Sequence, residues 1–196
     1  MRFSTRKSGL NAICFAAELA AALSFCAAHA QVAPSATRSV HTLSVGGEYS
    51  NIEAGFPYNS SQRLDGFGVF VDYSLTGNLG IEADARFLRF NSFYGETEDN
   101  YLAGPRYRFL RFGRLQPMAR CLFGVGKMHY PFAIGSDSYF AIAPAAGASY
   151  RIGRRLSLRA EYEYQFWPGS PDITNEPAHE ITPNGIHVGI AYQLFR

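Results

Sequence analysis

The sequence predicts an all-β chain folded as an eight-stranded antiparallel up-and-down transmembrane β-barrel. Three observations lead there. Eight stretches, each roughly ten to twelve residues long, alternate apolar with polar or small residues, which is the period of a strand with two unlike faces. The connections alternate too. Three are short turns holding Gly77, Gly113 and Gly153, and four are longer polar segments, the rhythm of a meander closed into a barrel. Finally, Lys127 is the only lysine after position 30, whereas a soluble barrel surface would normally carry many.

Residues 1–30 read as a secretory signal peptide. Arg2, Arg6 and Lys7 give a basic start, Ala12 to Phe25 is mostly apolar despite Glu18, and Ala28-His29-Ala30 is a small-x-small cleavage site. A short membrane anchor is the alternative, but the apolar run is too short and interrupted to span. Cys26 is a poor lipoprotein site because bulky Phe25 precedes it. This segment holds three of the 18 basic and one of the 16 acidic residues, so the remainder is formally neutral. That balance points away from nucleic acid. Of three cysteines only Cys121 lies beyond the segment, so no internal disulfide is expected. No later apolar run is long enough for a spanning helix.

Residues 31–39 form a short lead, and 40–196 are expected to be the barrel. Strand one, Val40 to Tyr49, sets Leu43, Val45 and Tyr49 against Thr42, Ser44 and Glu48. Asn51 to Arg63 is rich in Asn, Ser, Gly and Pro and reads as a loop. Strand two, Leu64 to Ser74, opposes Phe67, Val69, Val71 and Tyr73 to Gly66, Gly68, Phe70 and Asp72. Thr76-Gly77-Asn78 turns into strand three, Leu79 to Phe90, where Ile81, Ala83, Ala85 and Phe87 oppose Glu82, Asp84 and Arg86. Asn91 to Asp99 is a polar loop. Strand four, Asn100 to Phe109, opposes Tyr101, Ala103, Pro105, Tyr107 and Phe109 to Gly104, Arg106 and Arg108. Pro105 is awkward there.

After a turn at Arg111 to Arg114, strand five, Leu115 to Val125, opposes Ala119, Cys121, Phe123 and Val125 to Met118, Arg120, Leu122 and Gly124. Lys127 to Asp137 reads as a loop, Ser138 to Tyr150 as a small-residue strand, and Ile152-Gly153-Arg154 as a turn. Strand seven, Leu156 to Phe166, alternates most clearly: Leu158, Ala160, Tyr162, Tyr164 and Phe166 against Arg159, Glu161, Glu163 and Gln165. Trp167 to Pro183 is a long proline-rich loop. The last stretch, Asn184 to Arg196, puts Ile186, Val188, Ile190, Tyr192 and Leu194 on one face and His187, Gly189, Ala191 and Gln193 on the other.

Alternation alone does not say which face is inside. The missing lysines, the Tyr and Phe residues near strand ends (Tyr49, Tyr73, Tyr101, Tyr107, Tyr150, Phe166, Tyr192) and the mixed charge signs of the polar face favour a membrane barrel with its polar side inward. A lipocalin-like soluble barrel or a periplasmic sandwich is the alternative. The inward set then comprises Glu48, Asp72, Glu82, Asp84, Arg86, Arg106, Arg108, Arg120, Arg159, Glu161, Glu163 and His187. Six acids nearly balance five arginines, as a narrow lumen requires, because an isolated buried charge is very costly.

The stretches Gly104 to Phe109 (GPRYRF) and Leu158 to Tyr164 (LRAEYEY) resemble recurring strands of the small eight-stranded bacterial outer-membrane β-barrels, the OmpA-type β-barrel domain. The resemblance covers nearly all the chain after position 30. It implies the bacterial outer membrane as location, outer-membrane lipids as surroundings, and a monomeric architecture without the peptidoglycan-binding domain of larger members. It also implies that the closing strand (Gly189, Tyr192, Leu194, Phe195) carries the signal read by the barrel-assembly machinery. Arg196 departs from the aromatic terminus of that pattern.

Some small barrels of this kind modify lipid A with His, Ser and Asp or Glu. His41, Ser44, His129, Ser136, Asp137, Ser138, His179 and His187 make no convincing local motif for it. Metal spacing, a nucleotide loop and a nucleophile elbow are missing from the sequence, so no cofactor is expected. Cys121 reads as a small apolar residue facing lipid. Eight strands enclose an interior just wide enough for side chains, which favours a plugged lumen over a porin-like channel. The short turns carry Arg111, Arg114, Arg151, Arg154 and Arg155, and the longer loops Glu53, Glu96, Glu98, Asp99, Asp137, Asp172, Glu176 and Glu180. The expectation is a basic end and an acidic rim, the latter a candidate site for cations or an extracellular partner. A non-enzymatic envelope role, structural or loop-binding, is the functional expectation, with a narrow channel and a lipid A enzyme as alternatives.

Overall fold

The computed structural model describes residues 41–53, 63–92, 95–130, 135–170 and 181–195. They contain eight strands: β1 (Thr42–Glu53), β2 (Arg63–Ser74), β3 (Leu79–Phe90), β4 (Thr97–Arg108), β5 (Leu115–His129), β6 (Ser136–Arg151), β7 (Leu156–Tyr164) and β8 (Asn184–Phe195). Each is antiparallel to its neighbours, and β1 pairs with β8 to close the barrel. The proposed signal peptide and lead, together with His179, Asp172, Glu176, Glu180 and Arg196, lie outside the described residues.

The short-turn ends fall close to where alternation places them; the long-loop ends do not. β1 continues through Asn51, Ile52 and Glu53, paired with Asp65, Leu64 and Arg63. β4 begins at Thr97 and ends at Arg108. β5 and β6 run as far as His129↔Ser136. Residues 51–53, 97–99, 127–129 and 136–137 are therefore strand rather than loop. A ladder needs only backbone N–H and C=O groups, so it outlasts the apolar signal from which its length is read.

Two prolines interrupt the ladders on one side each. Pro105 pairs with Ile81 of β3, whereas the β4–β5 register skips Gly104 and Pro105 and resumes at Arg106↔Arg120. Pro144 pairs with Cys121 of β5, but the β6–β7 ladder begins only at Ala145↔Glu163. Beyond Pro144 it rejoins at one bridge, where Ile142 N donates to Phe166 O at 2.9 Å and Phe166 N to Ile142 O at 2.8 Å. Proline has no N–H to give. This is why β7 stops at Tyr164 and not at Phe166.

The outer wall is apolar. Phe67, Val69, Ile81, Tyr101, Tyr162, Val188 and Ile190 are all about half exposed or more, an arrangement stable only against lipid. Aromatic contacts gather at the long-loop end, with ring centroids 5.7 Å apart for Tyr49–Phe67 and 6.0 Å for Phe87–Tyr101. Tyr107 and Phe109 meet at 5.1 Å at the other end. Rings at both interfaces form the girdles of a membrane barrel. A register shift at Leu43/Ser44 opposes Phe195 to Leu43 and Gln193 to Ser44. The bulge leaves both Leu194 and Phe195 exposed on the wall, where strict alternation would turn Phe195 inward.

Candidate functional site

The lumen is filled in tiers. In its middle, β3 and β7 deliver arginines and carboxylates at every second position, and β5 adds Arg120. Arg120 reaches furthest. It pairs with Glu82, lies 3.2 Å from Asp84, and sets Nε 2.8 Å from Glu161 and Nη2 3.1 Å from Glu163. Arg159 grips both Glu82 oxygens, at 3.0 and 2.6 Å, and pairs with Glu161. Its guanidinium also sits 4.5 Å from the ring centre of Phe70, a cation–π contact inside the barrel. Phe70 fits because Gly46 faces it: a Cβ there would fall 2.2 Å from the ring. Arg86 bonds Glu163 at 2.7 Å and lies 3.3 Å from Asp84 and 3.9 Å from Glu48. Nearer the short turns, Asp72 is held by Arg106 and by Arg108 at 2.9 Å, and Arg108 also donates to Ser74 Oγ at 3.0 Å.

His187 joins this network with a defined role. Arg86 Nη1 lies 3.0 Å from its Nε2, and Ser50 Oγ lies 2.8 Å from its Nδ1. Guanidinium has no acceptor, so Nε2 accepts from Arg86 and Nδ1–H donates to Ser50. Ser50 and His187 thus stand at the separation of a nucleophile and base, yet the histidine donates where a base would accept. Both are buried. Ser50 was not a sequence candidate, although its inward parity with Glu48 marks its place. Among the described residues the other candidates do not assemble. Tyr73 Oη lies 3.2 Å from His41 Nδ1 at the barrel exterior. His129 faces Ser136 across the β5–β6 ladder, and no side-chain hydrogen bond joins them among the described residues. No group suited to a metal ion occurs among the described residues.

Above the charges, toward the long loops, lies an apolar cap that the expectation of a polar interior misses. It comprises Ile52, Leu64, Leu88, Leu102, Leu122, Met128, Ala141, Ala143, Trp167 and Ile181. The sequence does carry the signal: each leucine falls on the inward parity of its strand, and Trp167 continues the inward series Glu163, Gln165. Trp167 lies inside rather than in an outer loop. Its N–H donates to Gln165 at 2.7 Å, and Gln165 donates to Glu163 at 2.9 Å, tying cap to network. Gly126 makes room for the indole, since a Cβ there would lie 2.2 Å from it.

The acidic rim also needs correction. Glu96 and Glu98 are buried inside this end of the barrel, and Asn100 donates to Glu98 at 2.6 Å. Asp99 is covered by Arg89, 2.9 Å from each of its oxygens. The lumen therefore holds more carboxylates than the six expected on alternation. Burial, with Glu98 beside it, lifts the Glu96 carboxyl to about 7. At the opposite end the interior opens into a cavity of about 260 Å³ edged by the arginines of the short turns.

A polar packed interior, an apolar wall and closure in sequence order define a known architecture. Residues 19–193 match the family described as outer membrane protein beta-barrel domain. The chain belongs to this family. Among solved structures, Neisserial surface protein A is similar at a TM-score of 0.59 and 14% identity, over 76% of this chain and 96% of that one. The N-terminal β-barrel domain of Pseudomonas aeruginosa OprF is similar at 0.55 and 12%, over 79% and 99%. Pseudomonas aeruginosa OprG follows at 0.54 and 9%, over 82% and 99%. These likenesses extend to the fold. No curated protein matches the sequence. As a member of this family the chain is a bacterial outer-membrane protein.

Proposed function

We propose that the protein is a non-enzymatic envelope barrel with a sealed lumen, which holds its long loops at the outer surface for a structural or binding role. The observation that carries this reading is the filling of the lumen by two successive layers. Arg86 and Glu163 are buried in the charged tier and Leu122, Leu88 and Trp167 in the cap above it. An ion would have to break both the pairing of the first and the packing of the second. Export through residues 1–30, insertion into outer-membrane lipid and assembly through the closing strand belong to the same proposal. Gly189 packs inward over the Gly47 carbonyl there, while Tyr192, Leu194 and Phe195 present an apolar and aromatic edge.

Planar-bilayer recording on folded protein tests the reading. The expected record is silent, and stepwise conductance would replace the sealed barrel by a narrow channel.

A further inference from the structure

We propose that the short-turn mouth of the barrel is a binding site for a multiply charged oxyanion of the phosphate class. Barrels of this architecture turn that end toward the periplasm. The cavity there, about 260 Å³, has space for roughly nine waters at their liquid volume of about 30 Å³ each, enough for a phosphorylated group and part of its hydration. Its edge carries Arg111, Arg114, Arg151, Arg154 and Arg155, and its floor Arg108. Among the described residues no carboxylate lines it. The nearest acid below, Asp72, is already taken up by Arg106 and Arg108.

Among the described residues no ion pair engages Arg114, Arg151, Arg154 or Arg155. Like charges gathered in this way repel one another, and that repulsion is relieved when an anion enters.

The rim is also held in place. Arg151 N donates to the Arg114 carbonyl at 2.9 Å, which locks the β4–β5 and β6–β7 turns side by side. Gln193 N donates to the Arg155 carbonyl at 2.8 Å, which fixes the second turn to β8. The guanidinium groups thus spring from a rigid backbone ring, so less ordering is needed when an anion binds. Around them Ser44, Ser74, Ser149 and Ser157 supply hydroxyl groups. Forked N–H donors with added hydroxyls match an anion that has several oxygens on each centre. A single carboxylate would leave most of these donors unused.

The test uses protein purified from membranes and placed in phosphatidylcholine nanodiscs, titrated calorimetrically with inorganic pyrophosphate. One saturable site is expected, weakening as salt rises. The triple variant Arg151→Gln, Arg154→Gln, Arg155→Gln should weaken it about ten-fold or more through loss of charge-assisted bonds. Arg89→Gln, at the opposite end of the barrel, should leave it unchanged. Heat-modifiable gel migration verifies that each variant is folded.

Discs containing cardiolipin, whose headgroup carries two phosphates, separate two sources of the same chemistry. Weaker pyrophosphate binding there than in phosphatidylcholine, lost in the triple variant, identifies a lipid headgroup as the competing occupant. Equal binding in both discs identifies a free phosphate compound. Absence of saturable binding, an unaltered triple variant, or an equal loss in Arg89→Gln would overturn the proposal.

Discussion

Gly126 is where a single atom decides how the cap closes. The Trp167 ring occupies the place of the missing side chain, so Gly126→Ala must push the indole aside or move the strand. Overpacking of this kind costs about 1–3 kcal/mol. Trp167 is the only tryptophan, so its emission should shift to the red as it gains water; unchanged emission and stability would refute the packing described. Glu96 makes the cap pH-dependent. Its carboxyl is raised from an ordinary 4.5 to about 7, so between those values the native state holds more protons than the unfolded chain. Stability is then fully present below the lower value and declines as pH rises through the upper one. Denaturant midpoints should fall as pH rises across that window, and Glu96→Gln should flatten the slope. The inward charges were legible because they sit at alternate positions in unbroken strands. Glu96 and Glu98 were not, because they follow a loop whose polarity reads as solvent-facing.

Among the elements, β3 shows how cleanly a strand can be read. Both ends, Leu79 and Phe90, coincide with the alternation, and each apolar residue from Ile81 to Phe87 lies on the wall. Ala85, paired with Val69 and Tyr101, sits in mid-wall. Ala85→Arg would bring a charge to lipid at a cost of about 2–4 kcal/mol, measurable as a shift in urea unfolding from liposomes. A shift no larger than that of Ala85→Leu would argue against lipid at this face. β5 and β6 show the opposite case. Their outer ends are built from Lys127, Met128, His129, Ser136 and Asp137, in which no two-residue hydrophobic period remains, yet the backbone ladder continues. Pro144 acts in the other direction: β7 reads as eleven residues by alternation and forms nine, because its partner lacks a donor.

At the scale of the whole barrel, the charged tier binds strands that share no ladder. Arg120 on β5 contacts Glu82 and Asp84 on β3 and Glu161 and Glu163 on β7, crossing the interior instead of following the wall. Arg120→Met should strand these carboxylates and cost about 3–5 kcal/mol, seen as a lower temperature for conversion of the folded to the unfolded gel band. An unshifted conversion would mean that the network adds little. The rungs of the sheet are shared out less evenly. The β6–β7 ladder spans only Ala145↔Glu163 to Arg151↔Ser157, with a lone bridge past Pro144, while β5–β6 is paired along its full length. Pulled by its rim, such a sheet behaves as a zipper with one short run of teeth. Under tension the hairpin β7–β8 should peel from β5–β6 along that seam first, making Pro144 the point from which the wall tears.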